Sequence, residues 1–224
     1  MNVSELPPPL PPATRTVGQL VAESIRFYQS RFWAVLALGL AIALLDLIPA
    51  HGYGVHAAVL CVGAPVLTAA FIAATALVSG VRPTRRSGLT ALAAGTVVFL
   101  PAAALSGWFD LLAVAWLAFL GLVVPVALVE QTGFRDSLVR ARRLATADYV
   151  HALGSLAALA IVYFIVRQAL VVLLKTQGDA AERIASFLAD LVLSPLLFVG
   201  AVQLYYDQAA RIGLRKPVAA ARAD

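Results

Sequence analysis

Charge is scarce in this chain of 224 residues. Asp, Glu, Lys and Arg together make up 13% of it, about half the share of an ordinary soluble domain. With 61% hydrophobic residues and a mean hydropathy of +0.88, a soluble core of this size is excluded. The bilayer must be the solvent for much of that surface. Lysine is nearly missing, with only Lys175 and Lys216, so the net charge of +5 is carried by arginine. Such charge is expected beside anionic lipid headgroups, and no nucleic-acid module is recognisable. The single cysteine, Cys61, excludes an internal disulfide and is expected to be a small buried side chain. The three histidines (His51, His56 and His151) fall in turns or at span ends. No metal-spaced His/Cys cluster, nucleophile elbow or Gly-rich phosphate loop is present, so no catalytic residue, metal or cofactor is assigned. Ser106-Gly107 near His51 evokes an intramembrane serine protease, but no general base is placed by the spacing.

What is there is long apolar sequence. Residues 1–13 are too proline-rich for a helix and are expected to form a disordered arm. Thr16-Val17-Gly18-Gln19 matches a capping box and opens an amphipathic helix over 16–31, with Val17, Leu20, Val21, Ile25, Tyr28 and Phe32 in its apolar stripe. Six segments then reach the roughly 20 residues needed to cross a bilayer: 32–50, 55–79, 89–107, 109–129, 151–174 and 184–206. Pro65, Pro101, Pro125 and Pro195 lie inside four of them and predict kinks. A second surface helix is expected over 134–149, after a bend at Gly133, with Phe134, Leu138, Ala141, Ala145 and Tyr149 facing the bilayer and Asp136 paired with Arg140. The expected fold is thus all-α and polytopic. One membrane domain (14–212) holds six transmembrane helices and two cytoplasmic-side amphipathic helices, before a disordered tail (213–224).

Counting basic residues in the connections gives an orientation. Fourteen lie in the N-terminal arm, the second and fourth connections and the tail; Lys175 and Arg183 alone lie on the opposite side. The positive-inside rule places both termini in the cytoplasm. A faint repeat is also visible, SIRFYQSRFWAVLALG entering the first span and SLVRARRLATADYVHALG entering the fifth.

Two charged groupings stand out. Asp46, Arg167 and Asp190 lie within spans, about 6–10 Å below the predicted outer ends. Intramembrane charges pair with each other or line a wet cavity, so this outer-half cluster is either a structural ion pair or a polar pocket for a headgroup or proton path. At the cytoplasmic face, Glu130 and Asp207 close two spans near Arg140 and Arg143. These four form either a clamp between surface helix and span ends or a lipid-phosphate site. Arg135 and Arg142 are expected to contact lipid, and Tyr205 and Tyr206 to be interfacial aromatics.

The run VVPVALVEQTGFRDSLVRARRLATADYVHALG, with SPLLFVGAVQLYYDQAARIG near the end, resembles the bacterial glycerophosphoryl diester phosphodiesterase membrane-domain family. The residues that carry the resemblance are Pro125, Val126, Glu130, Gly133, Ser137, Arg140, Leu144, Tyr205, Tyr206 and Asp207. The chain has no room for the phosphodiesterase barrel, so the resemblance implies fold and topology, not catalysis. The expectation is a non-enzymatic module of the bacterial cytoplasmic membrane that organises the membrane or regulates, holding lipid or a partner protein, itself included as a homo-oligomer. The alternative is a small transporter or lipid-handling protein using the outer polar cluster.

Overall fold

The computed structural model describes residues 14–48, 53–105 and 109–220, with side chains left out for 53–58, 110 and 214–220. The expected proline-rich arm, His51, Ser106 and the last four residues lie outside these, as does the side chain of His56.

The described residues are helical with no strand. In order they form α1 (Val17–Ser30), α2 (Phe32–Leu36), a 3-10 turn (Ala37–Gly39), α3 (Leu40–Asp46), α4 (Tyr53–Ser79) and α5 (Arg85–Leu105). Then come α6 (Asp110–Leu120), α7 (Val123–Val129), α8 (Phe134–Ala145), α9 (Tyr149–Leu174) and α10 (Asp179–Ala220). Five helical stretches are long and apolar enough to cross a membrane, or six if the bent pair α1 and α2–α3 makes one span.

The Thr16 capping box forms: Gln19 N–H donates to Thr16 Oγ1 at 3.3 Å, and Thr16 N–H donates to Gln19 Oε1 at 2.9 Å. The face of α1 that packs inward is Leu20, Ser24 and Tyr28 rather than the broader predicted stripe, and Ile25 stays 40% exposed. Ser24 turns inward because its hydroxyl bonds the Leu20 carbonyl at 2.8 Å and Gln203 Oε1 at 3.0 Å.

At Arg31 the chain bends by 108°, and the expected first span, 32–50, is not one helix but α2, the 3-10 turn and α3. Within the 3-10 turn the chain packs closely on α10 at Gly39. Pro195 has no N–H, so the Leu191 carbonyl loses its helical partner. Gly39 lies directly against that carbonyl: a Cβ there would overlap its oxygen and sit 2.7 Å from its carbon. A regular helix with side chains could not approach so closely.

The expected fourth span, 109–129, forms one apolar stretch long enough to cross a membrane, Leu111–Val129, although a turn at Gly121-Leu122 divides it into α6 and α7. Pro125 is the third residue of α7, where a missing N–H costs nothing because first-turn donors have no helical partner. Pro65, Pro101 and Pro195 by contrast lie inside continuous helices.

α10 is the central post, with α1, α3, α4 and α9 packed along it. Its 42 residues span about 60 Å, twice the hydrocarbon thickness. It runs through residues 213–220, so the stretch assigned to a tail begins as helix. Cys61, expected to be buried, is exposed on α4, where the apolar surroundings of a span suit it equally.

The bend after α7 differs from expectation too. Gly133 is in an extended conformation any residue adopts, whereas Gln131 takes the left-handed one (φ 50°). α8 then buries Ser137, Ala141, Leu144 and Ala145, leaving Phe134 43% exposed. The predicted stripe is therefore turned by part of a helical step, because Ser137 can enter the core by bonding Gly133 O at 2.7 Å and Thr132 Oγ1 at 2.8 Å.

Candidate functional site

Asp46, Arg167 and Asp190 meet, although they come from α3, α9 and α10. Arg167 donates from Nε to Asp190 Oδ1 and from Nη2 to Asp46 Oδ2, each at 2.9 Å. The cluster grades from wet to dry: Asp46 is 43% exposed, Arg167 23% and Asp190 1%. Sequence reasoning missed its fourth member, Tyr163, which donates its hydroxyl to Asp190 Oδ1 at 2.5 Å. The signal was available, since Tyr163 precedes Arg167 by one turn on the same face of α9.

Tyr163 also belongs to a second feature. A cavity of about 260 Å³ lies among α3, α4, α5, α6, α9 and α10. Its lining is apolar, including Ile42, Phe71, Phe99, Ala102, Leu117 and Ala160, and Tyr163 is the polar side chain at its wall. Small residues make the space: alanines at 102, 103, 113, 160 and 201 face it where larger side chains would fill it. The Tyr163 ring thus borders hydrocarbon-like space while its hydroxyl enters the ion-paired cluster.

The basic end of the bundle carries two clusters rather than the single expected one. In the first, Arg140 Nε donates to both oxygens of Glu130, at 3.1 and 3.0 Å, and Tyr205 donates its hydroxyl to Glu130 Oε1 at 3.2 Å. Arg140 therefore reaches back to α7 instead of pairing with Asp136 along its own helix. Tyr205 and Tyr206 are buried core residues, 4% and 9% exposed, not interfacial ones. Glu130, Arg140 and Tyr205 are all among the residues that carry the family resemblance. They tie α7, α8 and α10 together.

Asp207 is not part of that group, and neither is the exposed Arg143. Two residues after Tyr205 along α10, Asp207 faces the opposite way, toward α1 and α9. It is fully buried; its Oδ2 accepts from Arg211 Nε at 2.8 Å and lies 3.1 Å from His151 Nε2, and its Oδ1 accepts the Arg15 N–H at 2.5 Å. Arg211 continues to Asp148 Oδ2 and to the Arg15 carbonyl, both at 2.8 Å, while Asp148 caps α9 through the His151 N–H at 3.1 Å. Arg15 in turn pairs with Glu23 at 2.6 Å. This network locks the starts of α1 and α9 onto α10. Its members Arg15, Asp148, His151 and Arg211 were not singled out, because nothing in their spacing connects positions 15, 148 and 211.

Of the expected lipid contacts, Arg135 is exposed, and Arg142 lies over the Phe119 ring at 5.8 Å from its centroid. Among the described residues, no group of three or more His, Cys, Asp or Glu could hold a metal ion. No family model matches this chain, and neither a curated protein nor a solved structure does.

Proposed function

We propose that the chain is a non-enzymatic module of the bacterial cytoplasmic membrane that holds the hydrocarbon chain of a bilayer lipid inside its helix bundle. The observation that carries this reading is the apolar cavity of about 260 Å³ between helices that are themselves membrane-spanning in length and hydropathy. In such surroundings the available apolar ligand is the lipid acyl chain, and a lining with one hydroxyl offers nothing to a polar solute. Both termini face the cytoplasm, where Arg135, Arg142 and Arg143 attract anionic headgroups, each contributing about 1 kcal/mol near an anionic surface. The basic-end clusters serve as structural clamps, since their charges are spent on one another. Membership of the phosphodiesterase membrane-domain family remains part of this proposal, supported by the convergence of Glu130, Arg140 and Tyr205.

One observation favours the lipid-handling alternative as a variant of the same idea. Tyr163 joins the cavity wall to Arg167 through Asp190, so a headgroup could displace Asp46 from the guanidinium while its chain lies in the cavity.

Native mass spectrometry of the detergent-solubilised protein tests the reading. Wild-type protein is expected to carry bound lipid, and Ala160→Phe or Ala102→Phe, which fill the cavity, should lose it while remaining folded. Equal lipid on wild type and both variants would contradict an occupied cavity. Loss of that lipid on Arg167→Gln would favour headgroup handling over simple chain binding.

A further inference from the structure

The charged cluster and the apolar cavity share the same helix faces. On α3, Ile42 lines the cavity and Asp46 follows it by one turn; on α9, Tyr163 lines it and Arg167 follows it by one turn. Four residues of helix rise about 6 Å. The Arg167–Asp46 pair therefore forms a charged rim one turn beyond the cavity, at the end of the bundle away from most of the arginines. An amphiphile needs this arrangement, with hydrocarbon-like space for its chain and ions beside its headgroup.

The rim is built unevenly. Asp190 holds Arg167 Nε from the protein interior, and the Tyr163 hydroxyl fixes Asp190 in turn. Asp46 holds Nη2 from the outer, partly exposed side. Only two of the five N–H donors of the guanidinium are used among the described residues. Arg167 is thus anchored on one side and open on the other, and Asp46 is the partner that a ligand can replace.

Charge selects the headgroup. A purely anionic one brings its phosphate to Arg167 but sets it beside Asp46, which has just lost its own partner, and like charges across a contact oppose binding. A zwitterionic headgroup supplies both ions, a phosphate for Arg167 and an ammonium for Asp46, so the exchange leaves neither protein charge unpaired. Asp46 also gives up the N–H bond from Arg167 in that exchange. A primary ammonium brings N–H donors to replace it, whereas a quaternary ammonium has none.

We infer that the Arg167–Asp46 pair is the headgroup subsite for a zwitterionic phospholipid with a primary amine, of the phosphatidylethanolamine class, its phosphate on the guanidinium and its ammonium on Asp46. The inference rests on the reading that a lipid chain occupies the cavity, and it adds which lipid that is.

Competition read by native mass spectrometry tests it, with phosphatidylethanolamine, phosphatidylglycerol and phosphatidylcholine of identical palmitoyl and oleoyl chains offered in pairs to the detergent-solubilised full chain. Wild type is expected to retain phosphatidylethanolamine over each of the others by about fivefold, the weight of one partly exposed ion pair. Asp46→Asn, a near-isosteric change at an exposed position, should keep the lipid but lose the preference over phosphatidylglycerol. Equal retention of all three lipids by wild type overturns the headgroup assignment, and so does an unchanged preference in Asp46→Asn. Equal retention of phosphatidylethanolamine and phosphatidylcholine overturns the primary amine. Lipid held without preference yet lost in Ala160→Phe contradicts this inference alone, whereas lipid held equally by wild type and Ala160→Phe contradicts the occupied cavity as well.

Discussion

At the scale of single residues, the charged side chains sort by what they touch rather than by where they lie in sequence. Arg140 and Arg143 are one turn apart on α8, yet only Arg140 is bonded to Glu130. The pair is partly exposed, so Arg140→Ala is expected to cost about 1 kcal/mol. Arg143→Ala should cost close to nothing. Thermal unfolding in detergent separates the two, and equal losses would contradict the assignment. Tyr205→Phe should also cost about 1 kcal/mol by removing its bond to Glu130. For Arg167, double-mutant cycles with Asp46 and with Asp190 should each show non-additivity of at least about 0.5 kcal/mol; strict additivity in both would contradict the pairing. That these three groups would meet was legible, because charges in apolar runs have few partners. The assignment of Asp207 was not: which of two neighbouring clusters a residue on α10 joins depends on the angle at which its face meets α1, α8 and α9. A separation of two residues decides that, and no spacing in the sequence reveals it.

At the scale of elements, the surprises concern continuity. The apolar runs were legible as helices because length and hydropathy decide that in a bilayer. Where they break was not, since proline acts differently by position. Pro125 sits harmlessly in the first turn of α7, whereas Pro195 lies inside α10 and leaves the Leu191 carbonyl, against which Gly39 packs, without its helical donor. Gly39 is the clearest consequence. Gly39→Ala should destabilise by about 3 kcal/mol or more, because the added methyl meets backbone that cannot rotate away. Gly133→Ser, by contrast, should be neutral or slightly stabilising: the backbone there is extended, and serine is a good N-cap for α8. Expression and thermal stability of the two variants give the comparison. Similar losses for both would mean that the bend after α7, rather than the Gly39 contact, constrains the fold.

At the scale of the whole molecule, α10 organises the bundle and the two ends differ in kind. One end carries most of the arginines and the two bonded clusters around Glu130 and Asp207. The other has the Asp46–Arg167–Asp190 group beside the cavity. If the basic end faces the cytoplasm, tags at either terminus are reached only from inside, and a label at Gly178, in the turn before α10, only from outside. Labels of both termini from outside would reverse the orientation and move the charged cluster to the inner leaflet. The clustering of arginines at one end of the bundle was legible in the sequence, but the cavity was not legible at all. It arises from alanines on several helices that converge only after packing, and alanine in a membrane helix looks the same whether it faces a neighbour, a lipid or a void.

Whether a lipid chain enters the bundle is tested in a native-like bilayer by a photoreactive lipid with its crosslinker in the acyl chain. Crosslinks are expected at cavity residues such as Phe99, Ala102 and Ala160, beyond those on outward-facing Ile165 and Leu173, with the cavity crosslinks lost in Ala160→Phe. Crosslinks confined to the outward-facing residues, unchanged by that substitution, would contradict it.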